Sequence, residues 1–232
     1  MKWLFYALLT LGVIVSFLYL WVCLFLYLFQ DSFLFYPEYT KSSKNMSQYS
    51  DIERLTLRAT DGTILTGWKK NIPHATKTVL SFGGNADDVR NTAIGWNMTW
   101  TNLITFEYRG YGESQGKPSE TKILSDALEI YDASHEKWSF QSGSIFVLGR
   151  SLGSGVANYV ASKRPVAGVI LITPYDSILS VAKEKKLFSY FPISFLLRNT
   201  FFSGEWAKSV TSPVLIIFGT NDTTIPPEHT RT

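Results

Sequence analysis

The hydrophobic pattern of the chain changes near residue 30. Over residues 3–29 the only polar side chains apart from Tyr and Trp rings are Thr10 and Ser16, so apolar positions surround a helix instead of forming one stripe. About 27 residues at 1.5 Å each exceed a hydrocarbon core of roughly 30 Å, and the segment predicts one transmembrane helix, a single-pass anchor. A cleaved signal peptide is the competing reading; against it, the run is about twice the usual apolar core of such a peptide and no small-x-small cleavage site follows. Lys2 precedes the span while Lys41 and Lys44 follow it, offset by Asp31 and Glu38, so the positive-inside rule gives no orientation.

Beyond residue 50, short apolar runs alternate with stretches of helical period. Residues 55–58 and 64–68 flank Asp61-Gly62, a two-residue hairpin signal. Strands are expected over 78–82, 103–108, 144–148, 166–172 and 213–218, with a helical segment over 86–100. Ser119 is an expected N-cap for a helix carrying Ile123, Ala127, Ile130 and Tyr131 on one face, and a further helix is expected over 152–162. This alternation predicts a mainly parallel sheet with helices on both faces. The expected organisation is an anchor over 1–30, a linker over 31–50 and one α/β domain over 51–232, with a helical cap segment over 177–206.

Composition narrows the partners. The 232 residues are 45% hydrophobic and 18% charged, enough for one core. A net charge of +3 with no basic run argues against nucleic acid as a partner. Cys23 is the single cysteine, so no intrachain disulfide forms. No dinucleotide fingerprint and no metal-ligand spacing occurs, and Gly112 to Lys117 falls one residue short of a phosphate loop and runs into Pro118; no cofactor is expected. Asn45, Asn97 and Asn221 stand in N-x-Ser/Thr sequons, which matter only in a secretory pathway.

The candidate chemistry lies at Gly149-Arg150-Ser151-Leu152-Gly153, a GxSxG turn between an expected strand and an expected helix. A serine there sits on a strained turn whose neighbours need small residues; a Gly/Ser-rich turn entering a buried helix is the plainer alternative. Asp222 follows the strand expected at 213–218, either as a carboxylate that orients a base or as a turn residue. Gly83-Gly84-Asn85-Ala86 follows the strand at 78–82, either as a donor loop or as a flexible turn.

These motifs, in this order, resemble the α/β-hydrolase superfamily, and within it the membrane-anchored single-span α/β-hydrolase-domain proteins. The similarity extends over Phe35-Tyr36-Pro37, Tyr108-Arg109-Gly110-Tyr111-Gly112-Glu113-Ser114, residues 146–155 and Phe218-Gly219-Thr220-Asn221-Asp222. The resemblance implies an α/β-hydrolase fold, Ser151 as nucleophile, Asp222 as the acid, and the Leu152 and Asn85 amides as oxyanion donors. Such families often carry histidine where this chain has Gly83, which leaves the backbone donors in place.

The superfamily order places a catalytic histidine after one more strand, whereas ten residues follow Asp222. The expectation is a chain lacking the last strand and helix, truncated or frameshifted, with a sheet edge laid bare. His74 and His135 are expected away from Ser151, and His229 is the remaining candidate for a substitute base. Loss of the histidine from such a triad costs on the order of a millionfold in turnover. Two functions therefore stay open: a membrane-anchored serine hydrolase for ester, thioester or amide bonds of small acyl or lipid-like substrates, and a non-catalytic membrane-tethered protein that keeps the fold.

Overall fold

The computed structural model describes residues 1–40, 45–138 and 143–231; Lys41 and Lys44, which bore on orientation, lie outside them. Helix α1 (Lys2–Leu34) runs four residues past the expected anchor, and it is long and apolar enough to cross a membrane. Its 33 residues extend about 50 Å, against a hydrocarbon core of about 30 Å. The surplus turns dock on the domain: Cys23 and Gln30 are buried, while Leu24, Phe25, Leu28 and Phe29 face outward.

Seven strands form one sheet in the order β1-β2-β4-β3-β5-β6-β7. They are β1 (Ile52–Arg58), β2 (Ile64–Lys70), β3 (Lys77–Phe82), β4 (Thr101–Phe106), β5 (Ile145–Arg150), β6 (Gly168–Ile172) and β7 (Val214–Ile217). The β1–β2 and β2–β4 pairs are antiparallel, and every pair from β4 to β7 is parallel. Alternation along β3 explains the two-sided core. Leu80 and Phe82 join Ile123 of α3 (Glu120–Glu136) and Val156 of α4 (Leu152–Lys163) in one cluster, while Val79 joins Val89 and Ala93 of α2 (Val89–Gly95) in the other. Strands β1 and β7 are the edges, and the four residues of β7 are exposed.

Three local expectations need correction. Asp61-Gly62 does not form a two-residue hairpin: Arg58 pairs with Ile64, the Ala59 amide donates to Thr63 O, and the chain turns through residues 60–62 with Gly62 at φ 87°. Asp61 accepts from the Thr63 amide there, and its carboxylate also meets Arg109 and Lys122. The segment 86–100 is helical only over α2, because Asp88 caps its start through the Arg90 amide and Trp96 leaves helical geometry at φ −68°, ψ 113°. Ser119 stands at the N-cap of α3 but its hydroxyl does not cap; Asn199 Oδ1, arriving from the segment after β6, accepts from the Glu120 amide at 2.8 Å.

That segment contains three short α-helices, α5 (Ile178–Glu184), α6 (Ile193–Leu196) and α7 (Ser203–Ala207), with a 3-10 helix over Lys186–Tyr190. It is fastened to the end of α1. Gln30 donates to the Tyr27 and Leu196 carbonyls and accepts from the Arg198 amide, while Asp31 accepts from the side chains of Arg198 and Asn199. Helix α8 (Glu228–Arg231) closes the described chain.

Candidate active site

In the sheet order, β3 lies between β4 and β5, so the connections leaving β3 and β5 diverge to opposite sides. Such a switch point opens a crevice at the carboxyl ends of the strands. Two of the sequence motifs meet there. The Gly83-Gly84-Asn85 loop leaves β3 and Ser151 leaves β5, and Phe82 pairs with Gly149 in register.

Ser151 has φ 50° and ψ −120°, a backbone state that non-glycine residues seldom adopt. Bonds on both sides hold it: its amide donates to Ile172 O of β6 at 2.9 Å, and its carbonyl accepts from the Ser154 amide at 2.8 Å and the Ser154 hydroxyl at 2.6 Å. The flanking glycines are required by space. A Cβ on Gly149 would strike the Gly153 carbonyl, and one on Gly153 would strike the Phe82 and Gly83 carbonyls. Leu152 begins α4, so its amide belongs to the positive end of a 12-residue helix.

The loop after β3 is bolted to this turn. Asp87 accepts from the Gly84 amide at 2.6 Å and forms an ion pair with Arg150, the residue before Ser151. Engagement of the Gly84 amide leaves Asn85 as the next backbone donor along the loop. Tyr108 donates to Gly83 O at 2.8 Å, and burial raises its phenol pKa well above the usual value. The Asn85 side chain joins the loop to the end of α1: Oδ1 accepts from the Tyr111 hydroxyl at 2.6 Å and the Tyr36 amide at 3.4 Å, and Nδ2 donates to Leu34 O. Tyr111 in turn accepts from the Tyr36 amide at 3.1 Å, and burial raises its pKa.

Asp222 follows β7 at the same end of the sheet, where its Oδ1 accepts from the Thr224 amide at 2.8 Å and the Ile225 amide at 3.0 Å. His229 projects from α8 toward the segment after β6, with Nδ1 2.8 Å from Asp176 Oδ1 and Nε2 2.9 Å from Glu184 Oε1. His74 stands before β3 with φ 65°, and His135 packs edge-on against Tyr131 in the last turn of α3. The structure thus sets the Ser151–Leu152 turn beside the loop that carries Asn85 at the carboxyl end of the sheet, puts Asp222 at the same end, and engages His229 with two carboxylates.

Sequence reasoning did not single out Asp87, Arg150 or the Tyr111–Asn85 bond. Arg150 occupies a variable position of GxSxG, and Asp87 carries no signal until the loops meet. The Tyr111 motif and Asn85, 26 positions upstream, were both visible, but the bond between them was not.

No protein-family model matches the chain. It is 28% identical over 203 residues to the alpha/beta hydrolase domain-containing protein WAV2 of Arabidopsis thaliana, a match covering 77% of this chain and 64% of that protein. The chain spans 60% to 66% of the length of the curated relatives it matches. Among solved structures, an alpha-beta hydrolase from Vibrio vulnificus superposes with a TM-score of 0.73 at 19% identity, over 88% of this chain and 79% of that one. An esterase from Pyrococcus furiosus superposes with a TM-score of 0.64 at 19% identity, over 85% and 81%.

Proposed function

The chain has the α/β-hydrolase fold, and we propose that it is a membrane-anchored serine hydrolase that cleaves ester, thioester or amide bonds through an acyl-enzyme on Ser151. The observation that carries this reading is the backbone of Ser151, left-handed at a strand-to-helix turn and facing a second loop bolted to it through Asp87 and Arg150. Strain of this kind persists where surrounding structure enforces it, and it raises the serine hydroxyl above the strand ends.

In the proposed reaction Ser151 Oγ attacks the acyl carbonyl carbon and its proton passes to a base. The carbonyl oxygen becomes an oxyanion that accepts from the Leu152 and Asn85 amides, each donor of this kind contributing about 3 kcal/mol. Collapse expels the alcohol, thiol or amine, which takes the proton back from the base, and water then releases the acid from Ser151. Asp222 is the proposed carboxylate for orienting the base. We do not assign His229 as that base, because both of its nitrogens face carboxylates.

That engagement of His229 also favours a second reading, a membrane-tethered protein that keeps the crevice without catalysis. Fluorophosphonate labelling of the chain in detergent, with and without added imidazole, separates the two. The hydrolase reading expects weak labelling that imidazole raises and Ser151→Ala abolishes, since a free base can replace a missing histidine. A folded sample that stays unlabelled at high imidazole, or that labels equally as Ser151→Ala, would sink it.

A further inference from the structure

We propose that the cleft between α1 and the α5–α6 segment binds one acyl chain of a bilayer phospholipid and leads it toward the Asn85 loop. The inference rests on the hydrolase reading above and names the substrate class for that site. The cleft has a volume of about 480 Å³, within the roughly 300–1,000 Å³ of small-molecule sites. Leu26, Phe33 and Leu34 form one wall, and Ala182, Leu187 and Leu196 the other. Gln30, the amide in this lining, is committed to the Tyr27 and Leu196 carbonyls and the Arg198 amide, so the space offers an apolar occupant little to desolvate.

Two observations commit the cleft to a lipid. The first is continuity with the surface that a bilayer would cover. Tyr19 donates to Tyr190 O at 3.2 Å and its ring stacks on Phe191, so the tip of the cap lies beside a turn about 22 Å down α1 from Leu34 at 1.5 Å per residue. On that tip Leu187 is 67% exposed and Phe195 88% exposed, and the outer face of α1 stays apolar as far as Phe33. The second is charge. Lys183, Lys185 and Lys186 are exposed on the same segment, where anionic headgroups would meet them. At its inner end the cleft is walled by Leu34 and Tyr36, whose backbone is bonded to Asn85 in the proposed oxyanion loop.

The test is photo-crosslinking of the full chain in phosphatidylcholine–phosphatidylglycerol vesicles carrying a phosphatidylcholine with a diazirine at the end of one acyl chain. Ala182→Trp fills the cleft from the cap side and Leu26→Trp from the anchor side, so a folding failure of one leaves the other. The expected result is crosslinks on residues 187–197, reduced about tenfold in either variant, a loss that removing about two buried methylenes already produces. Crosslinks on the outward Leu24 and Leu28 should not change. An unlabelled cap, labelling in both variants equal to that of the parent, or chain-to-chain crosslinks through the cap in place of lipid would overturn the proposal. Fluorophosphonate labelling of the same samples at high imidazole keeps the failures distinct. Ser151 labelling without cap crosslinks overturns the cleft alone; cap crosslinks without Ser151 labelling overturn the hydrolase reading and leave a lipid-binding protein.

Discussion

The imidazole Nδ1 of His229 lies 2.8 Å from Asp176 Oδ1. With Nε2 2.9 Å from Glu184, the ring ties α8 to α5 and the loop before it. A general base needs a nitrogen directed at the nucleophile's proton, within about 3 Å or through one water. We therefore expect His229→Ala to leave Ser151 labelling by fluorophosphonate unchanged, with and without imidazole. The same variant should lose about 1–2 kcal/mol of stability in denaturant unfolding. A loss of labelling by orders of magnitude would make His229 the base after all.

Arg109 joins three elements through two carboxylates. Its Nε and Nη2 donate to Asp126 of α3 at 2.7 and 2.5 Å, and Nη1 donates to Asp61 in the β1–β2 turn at 3.0 Å. Hydrogen bonds from Lys122 first, then Thr63 and Arg109, hold the Asp61 carboxyl below the usual range. Removing one partner strands a buried carboxylate, so Arg109→Met should cost about 3–5 kcal/mol in thermal or denaturant unfolding. Arg109→Met with Asp126→Leu should recover part of that loss, because no lone charge then remains buried. A single variant within about 0.5 kcal/mol of the parent would show the pair to be solvated.

The parallel strands were legible because their period and bounding turns depend on local residues: β3, β5 and β7 appear within about two residues of expectation. Ser151 was legible for the same reason, since strand, glycines and helix are contiguous. The lost features are those made by distant partners. Asn199 displaces the Ser119 hydroxyl as the cap of α3, and Arg109 and Lys122 draw Asp61 into an ion-pair cluster. The docking of α1 was invisible because an all-apolar helix carries no stripe to say which side is covered. Gln30 and Asp31, polar residues near its end, bond to Arg198 and Asn199 in the segment after β6.

At Gly153 the start of α4 comes close to the end of β3. The missing side chain there leaves room for the Phe82 and Gly83 carbonyls, the start of the proposed oxyanion loop. Backbone obstructs the added methyl, so no side-chain rotation relieves it. Gly153→Ala should therefore cost at least about 1–3 kcal/mol, the range for overpacking, and shift the Ser151 turn away from Asn85. Under the hydrolase reading, imidazole-dependent labelling should fall more than stability does. A variant that unfolds and labels like the parent would show that the contact relaxes without moving the crevice.

Glu107 gives the domain a pH dependence opposite to that of most paired carboxylates. It leaves β4 almost fully buried, and burial raises its pKa from 4.5 to about 7, against the Glu113 amide and Arg90, which favour the charged form. Between these two values the folded protein holds a proton that the unfolded chain has released, so stability falls as pH rises from about 4.5 to 7 and levels off above. A difference of that size corresponds to about 3 kcal/mol. Glu107→Gln keeps the shape and removes the titration, while Arg90 retains Asp88 at 2.8 Å and the Thr40 carbonyl at 2.6 Å. Unfolding free energies at pH 5 and pH 8 should show a gain from Glu107→Gln at pH 8 that shrinks at pH 5. If the variant instead destabilises the protein equally at both values, Glu107 is ionised throughout, and its pairing with Arg90 at 3.7 Å outweighs the cost of burial.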